Sequence, residues 1–344
     1  MKAQFGTAIL GLSALMSSTA MAQDNALTIN SFGGAYEEAH RACVITPFEE
    51  ATGATVNVVT AYSADAFAQV RAQKDAPQFD VIHFSGGQEI VAAAEGLLAP
   101  IDEASLPNAA GVYDFAKASL AEGQGPAYSI AAIGLVYNTE AVDPAPTKWA
   151  DLLNPEYSEG LVLTDISNGY GMLSFLMLNQ VQGGDLTNIQ PGLDAVTQLL
   201  DAGALVVSTS PEIQQEFAQN GALIAPYASD YAFTLRNAGL PSGFTQGEEG
   251  TPASYITANL VAGRDNTELA LKFIDMEISP EAQACFAEAL RYSPTNSGTV
   301  LSDEVAADVA YGEEGVAGLM RFDPTVIEAN RSVWVEEWNK AIAQ

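Results

Sequence analysis

Side chains able to do covalent or metal chemistry are few in this sequence. Two histidines, His40 and His83, and two cysteines, Cys43 and Cys285, are spread over 344 residues. Neither histidine stands in a metal or nucleophile motif, and there is no G-x-S-x-G elbow and no C-x-x-C. A hydrolase therefore fits poorly, and neither metal nor cofactor is expected. His83 reads as a sheet residue with a satisfied hydrogen bond. What the sequence offers instead is a set for gripping a solute without altering it. Small residues stand at strand ends, with hydroxyl, amide, aromatic and carboxylate side chains close by.

Three such corners stand out, and each needs a strand before it and a helix behind. LTINSFGGAY (27–36) is an apolar-alternating strand that breaks at Ser31, Phe32, Gly33 and Gly34 and runs into a helix carrying Tyr36. Paired glycines let a partner approach the backbone, and the helix start aims free N–H groups at the break. PQFDVIHF repeats the plan, stopping at Ser85-Gly86-Gly87 before EIVAAAEGLL. The third corner is LVLTD followed by Ser167-Asn168-Gly169-Tyr170, where Ser167 and Asn168 could bond a ligand or simply cap the helix. Tyr227 ends a further strand, and Asp230, at the next helix opening, could hold an amine or serve as N-cap. Tyr36, Tyr62, Tyr170 and Tyr255 could present ring faces to an amine or a flat ligand. No arginine announces a carboxylate, and Arg236 is expected to face solvent from within its helix.

The elements that carry these corners alternate strand and helix along the chain. ATVNVVT (54–60) is a strand, and Ser63 can cap the helix after it. Two long apolar stretches, YSIAAIGLVYN (128–138) and ASYITANLVAG (253–263), suit strands that pass from one lobe to another. Late helices begin at Asn266 or Thr267 and at Ser279, the latter with Pro280 in the first helical position. Trp334 and Trp338, four apart, share a helix face and read as packing.

Residues 1–22 read as a leader outside the fold. Lys2 precedes a short apolar run, and Ala20-Met21-Ala22 has the form of a signal-peptidase site, so cleavage before Gln23 and export are expected. An uncleaved anchor is disfavoured, because the run falls short of the ~20 residues that span a bilayer. The net charge of −30 repels phosphate backbones and anionic lipid, which argues against nucleic acid or membrane surfaces as partners. The remaining length favours two domains, and without a linker they must be interwoven. In an exported chain, Cys43 and Cys285 invite a disulfide closing about 240 residues, worth roughly 5 kcal/mol in the chain-entropy model. Two buried thiols are the alternative.

With these pieces in order, the sequence resembles the periplasmic solute-binding proteins of ABC importers, in the group that includes the spermidine/putrescine-binding family. The resemblance rests on LTINSFGGAY, PFEEATG (47–53), FDVIHFSG, KWADLLNPEYSEGLVLTD (148–165), ALIAPYASDYAF and RYSPTN (291–296) after SPEAQACF. It implies an α/β, two-lobed type II periplasmic-binding-protein fold, each lobe a central mixed sheet flanked by helices, with the ligand cleft between lobes. One lobe would comprise 23–131 and 257–296, the other 132–256 and 297–344, which puts both cysteines in one lobe. The implied protein is a monomer that binds a small organic solute by hinge closure and delivers it to permease subunits in the inner membrane. A module feeding a chemoreceptor or sensor kinase is the alternative. The implied ligand set joins Ser31, Phe32, Gly33, Gly34, Tyr36, Ser85, Gly86, Ser167, Asn168, Tyr170, Tyr227, Asp230 and Tyr255. Polyamine binders of the group place carboxylates after the LTD strand and beside an aromatic on the second crossover. Here those positions read Ile166-Ser167-Asn168-Gly169 and Tyr255-Ile256-Thr257, with no acid. An unpaired ammonium buried there would cost several kcal/mol, which disfavours spermidine and leaves amines, amino-acid or opine-like compounds and small carboxylates. Ferric-ion binders of related fold use adjacent tyrosines, and no Tyr-Tyr pair occurs.

Overall fold

The computed structural model describes residues 25–343, so the leader and its cleavage site lie outside the described residues. Ten strands occur among the described residues: β1 (Ala26–Ser31), β2 (Thr55–Thr60), β3 (Val81–Ser85), β4 (Ala127–Tyr137), β5 (Val162–Thr164), β6 (Leu205–Val207), β7 (Ile224–Ala228), β8 (Gly243–Thr245), β9 (Thr251–Leu260) and β10 (Leu319–Met320). Eight of them join in the order β2-β1-β3-β9-β4-β7, with β8 added on β4 and β10 on β9; β5 and β6 pair separately. Parallel pairing of β1 with β2 and β3 and antiparallel pairing of β9 with β3 and β4 make this a mixed sheet.

The two apolar stretches become β4 and β9, and every residue of β9 and all but Tyr137 of β4 are buried. Such strands need cover on both faces, which is why they read as nearly unbroken hydrophobic runs. They pair with each other over Ala127–Ala132 and Ala253–Thr257. Beyond that, β9 continues against β3 while β4 continues against β7 and β8. The paired strands thus hand one sheet on to another, as a two-lobed molecule requires.

Local chemistry explains several helix starts. Asn168 caps the helix Gly169–Val181 through its Oδ1, and Ser279 caps Pro280–Leu290 with proline in the first turn. Ser63 does not cap: the helix Ser63–Ala72 starts with it, and its Oγ accepts from Ser85 N at 2.8 Å, bracing the second corner. Asp230 does not cap either, because the helix Ser229–Asn237 already begins one residue before it, after Ala228. Asn266 stands at a helix start but spends its amide on Ala26 O, 2.9 Å away. The cysteines form a disulfide between Cys43, just after the helix Gly34–His40, and Cys285 in Pro280–Leu290. Trp334 and Trp338 are buried, and Trp338 donates to Asp165 Oδ2 at 3.0 Å.

Candidate functional site

Adjacent parallel strands end side by side, so the Ser31–Gly34 corner after β1 and the Ser85–Gly87 corner after β3 fall together. Both open onto a cleft of about 900 Å³, and the Ser167–Gly169 corner after β5 faces them across it. Gly33 (φ +77°) and Gly87 (φ +101°) hold backbone that a side chain would strain. A Cβ on Gly87 would also lie 2.6 Å from Pro324.

Of the residues singled out by sequence, Phe32, Gly33, Tyr36, Ser85, Gly86, Ser167, Asn168, Tyr170, Tyr227, Asp230 and Tyr255 line this cleft. Two do not. Ser31 is wholly buried, and its Oγ lies 3.3 Å from His40 Nδ1, behind the wall. Gly34, with φ +52°, turns the chain into the helix and stays exposed outside the cleft. Tyr62 sits at the rim, 67% exposed, stacked at 6.3 Å on Phe32.

Most polar groups at the wall are already committed to one another. Ser167 N and Oγ donate to Asp165 Oδ1 at 2.8 and 2.5 Å. Tyr227 OH shares a hydrogen bond with Ser210 Oγ at 2.7 Å, with Asn168 Nδ2 at 3.5 Å. Tyr227 also packs edge-on to Tyr170 at 5.4 Å, and Tyr170 is hydrogen-bonded to Tyr292. Burial drives the pKa of Tyr36, Tyr170 and Tyr292 upward, so these phenols stay neutral donors.

Asp230 is the exception. Its Oδ1 is shut off from solvent and has no hydrogen-bond partner, while the residue still faces the cleft. Burial raises its carboxyl to about 7, against a partial opposing effect of its own backbone N–H. A buried carboxylate without a counter-charge is costly, and an ammonium supplied from the cleft removes that cost.

Two arginines that no local pattern marks enter the site. Arg321 lines the cleft just after β10, its guanidinium 4.9 Å from the centre of the Tyr255 ring and its Nη2 2.8 Å from the fully buried Glu89. Burial raises the Glu89 pKa, and Arg321 only partly counters it. Arg331, paired with Glu328 at 2.7 Å, lies on the same wall. Arg236 is not simply solvent-facing: it reaches Asp308 and donates to Ser242 O. Tyr292, Ser210 and Gln88 also reach the cleft, and only Tyr292 lay within a tract that the sequence marked, RYSPTN. Arg321 had no local signal, because its place depends on β10 docking against Thr251–Pro252 of β9, while Arg331 lies on the helix Pro324–Ile342.

Three likenesses bear on this geometry. The chain is 26% identical over 332 residues to the gamma-aminobutyric acid-binding protein of Pseudomonas aeruginosa, spanning 93% of this chain and 88% of that protein. It is 30% identical over 183 residues to the spermidine/putrescine-binding periplasmic protein of Escherichia coli, which is 52% of this chain and 51% of that one. An ABC transporter structure from Clostridium perfringens superposes with a TM-score of 0.77 at 23% identity, covering 92% of this chain and 99% of that one. Among the described residues no helix is long and apolar enough to cross a membrane. The bacterial extracellular solute-binding protein model matches residues 44–313, more than half the chain, and the chain belongs to that family: it is a solute-binding component of the kind that delivers small solutes for ABC import.

Proposed function

We propose that the solute is a small zwitterion with an amine at one end and a carboxylate at the other, an ω-amino acid or a compound built on one. The observation that carries this reading is Asp230, whose buried, unpartnered oxygen at the cleft wall asks for one cation. Among the described residues at the wall the only other acid is Glu328, and it is occupied by Arg331. One free carboxylate suits one ammonium, not the two or three of a polyamine. Arg321, whose guanidinium lies 4.9 Å from the centre of the Tyr255 ring at the cleft wall, supplies donors for the opposite end, and the tyrosine rings suit the alkyl chain between. The named ligand of the Pseudomonas relative, gamma-aminobutyric acid, has this composition.

The lobes we propose are 23–131 with 257–296 and 132–256 with 297–344, hinged where β4 and β9 change partners. Ligand contacts to the residues named above would favour the shut form, since a ligand shifts a two-state equilibrium only through differential affinity. The mature chain would begin at Gln23 and act as a monomer on inner-membrane permease subunits. A thermal-shift series with γ-aminobutyrate, putrescine and glutarate tests the ligand class. γ-Aminobutyrate should shift the melting temperature most, with about 2.7 kcal/mol of stabilisation at 100 times its dissociation constant. A larger shift with putrescine or with glutarate would overturn the reading.

A further inference from the structure

Directly behind the two glycine corners lies a cluster that a solute does not touch. His40, His83 and Glu277 are all wholly buried, and their ligating atoms lie within 4.8 Å of one another. These are the sequence's two histidines. His40 Nε2 lies 3.0 Å from Glu277 Oε1, and His83 Nε2 lies 2.8 Å from the same oxygen.

Hydrogen-bond bookkeeping fixes where protons must sit. His83 Nδ1 is 2.8 Å from Asn30 O, and a carbonyl only accepts, so Nδ1 carries a proton. If that ring were neutral, its Nε2 lone pair would face a carboxylate oxygen at 2.8 Å, both groups being wholly buried. Neither His83 Nε2 nor Glu277 Oε2 makes a regular hydrogen bond, yet Nε2 lies too close to Oε1 for two bare lone pairs. One positive charge has to lie between them. A metal would satisfy the count, but an ion held tetrahedrally at about 2.0–2.2 Å keeps its ligand atoms roughly 3.4 Å apart. The observed 2.8 and 3.0 Å are proton-sharing distances. On the other side, His40 Nε2–H donates to Glu277, and Nδ1 lies 3.3 Å from Ser31 Oγ, a hydroxyl that can donate to it; burial disfavours a charged ring, so we take His40 as neutral. Consistently, burial lowers the His40 pKa, while His83 and His40 together more than offset burial and hold Glu277 low.

The cluster's attachments reach both corners. Ser31 ends β1, Tyr36 on the cleft wall belongs to the helix that ends at His40, and His83 precedes Ser85 by two residues. β1 and β3 are in register only at Ile29 and Val81. Past that point they are joined by Asn30, whose amide donates to Ala61 O at 3.2 Å and His83 O at 3.1 Å while its Oδ1 accepts from His83 N at 2.6 Å. The other titratable groups facing the cluster are Tyr36 and Tyr128, hydrogen-bonded to each other and kept protonated by burial, and Glu37 beside His40; the packed helix Pro280–Leu290 presents Phe286.

We propose that Glu277, His40 and His83 are positioning residues for the solute cleft, a buried relay that holds one shared proton between His83 and Glu277 and thereby sets the spacing of the two glycine corners. The positioning role rests on the cleft being the solute site, but the proton does not.

Long-range nitrogen–proton spectra of the full chain test this directly, since both imidazoles can be assigned without interference. At pH 7 His83 should show protons on both ring nitrogens and His40 on Nε2 alone, and saturating γ-aminobutyrate should move both sets of signals. Glu277→Gln should remove the His83 Nε2 proton and weaken γ-aminobutyrate binding about tenfold. If that variant does not fold, His83→Gln with Glu277→Gln, which replaces the charged pair by amides, should fold and show the same loss. Two singly protonated rings, or one equivalent of bound metal in the purified protein, would overturn the proposal. So would unchanged γ-aminobutyrate affinity in a folded variant. Absence of γ-aminobutyrate binding to the unaltered chain would instead count against the ligand assignment, and the resting spectra would still decide the proton.

Discussion

At the scale of single residues, Asp230 dominates the account because it is unsatisfied. Burial pushes its carboxyl up to about 7 from the ordinary 3.8. The folded state therefore keeps a proton that the unfolded chain gives up, and stability present below pH 3.8 is lost as pH rises toward 7. The full loss is about 4 kcal/mol at most, from the ~1.4 kcal/mol attached to each pKa unit. Without ligand, Asp230→Asn should melt several degrees above the unaltered protein at pH 8, a gain that vanishes near pH 4. A melting curve at each pH checks this, and equal melting temperatures at pH 8 would mean the carboxylate has a partner after all. Asp230 was legible in the sequence as an acid after a strand, since it had only two readings, cap or amine holder. Arg321 was not legible, because its place in the cleft comes from a two-residue strand that pairs with residues nearly seventy positions earlier in the chain.

At the scale of elements, the corners were readable because glycine pairs after apolar runs have few uses. Which corner residue faces the cleft was harder to read. A strand alternates faces, and Ser31 falls on the inner side, where His40 claims it. The disulfide joins elements 242 residues apart, fastening Pro280–Leu290 to the segment that carries Tyr36 and His40 toward the cleft. In the chain-entropy model a closure of that length is worth roughly 5 kcal/mol. A reductant should lower the melting temperature, and the Cys43→Ser, Cys285→Ser double variant should match the reduced protein. An unchanged melting temperature after reduction, with two thiols counted, would show that the bond contributes no stability.

At the scale of the whole molecule, two buried strands organise everything else. β4 and β9 were visible as long, nearly unbroken apolar stretches, and the family likeness made the two-lobed reading specific. The curl of the sheet, the hand-over at β4 and the docking of β10 depend on contacts between distant segments, and no local pattern encodes those. The cleft they create collects three corners, a tyrosine-rich wall, one free carboxylate and two arginines. The measurement that bears most directly on this account is isothermal titration of γ-aminobutyrate into the unaltered protein and into Asp230→Asn at pH 8. One saturable site is expected in the first and an affinity at least a hundredfold weaker in the second. Equal affinities in the two proteins would contradict it.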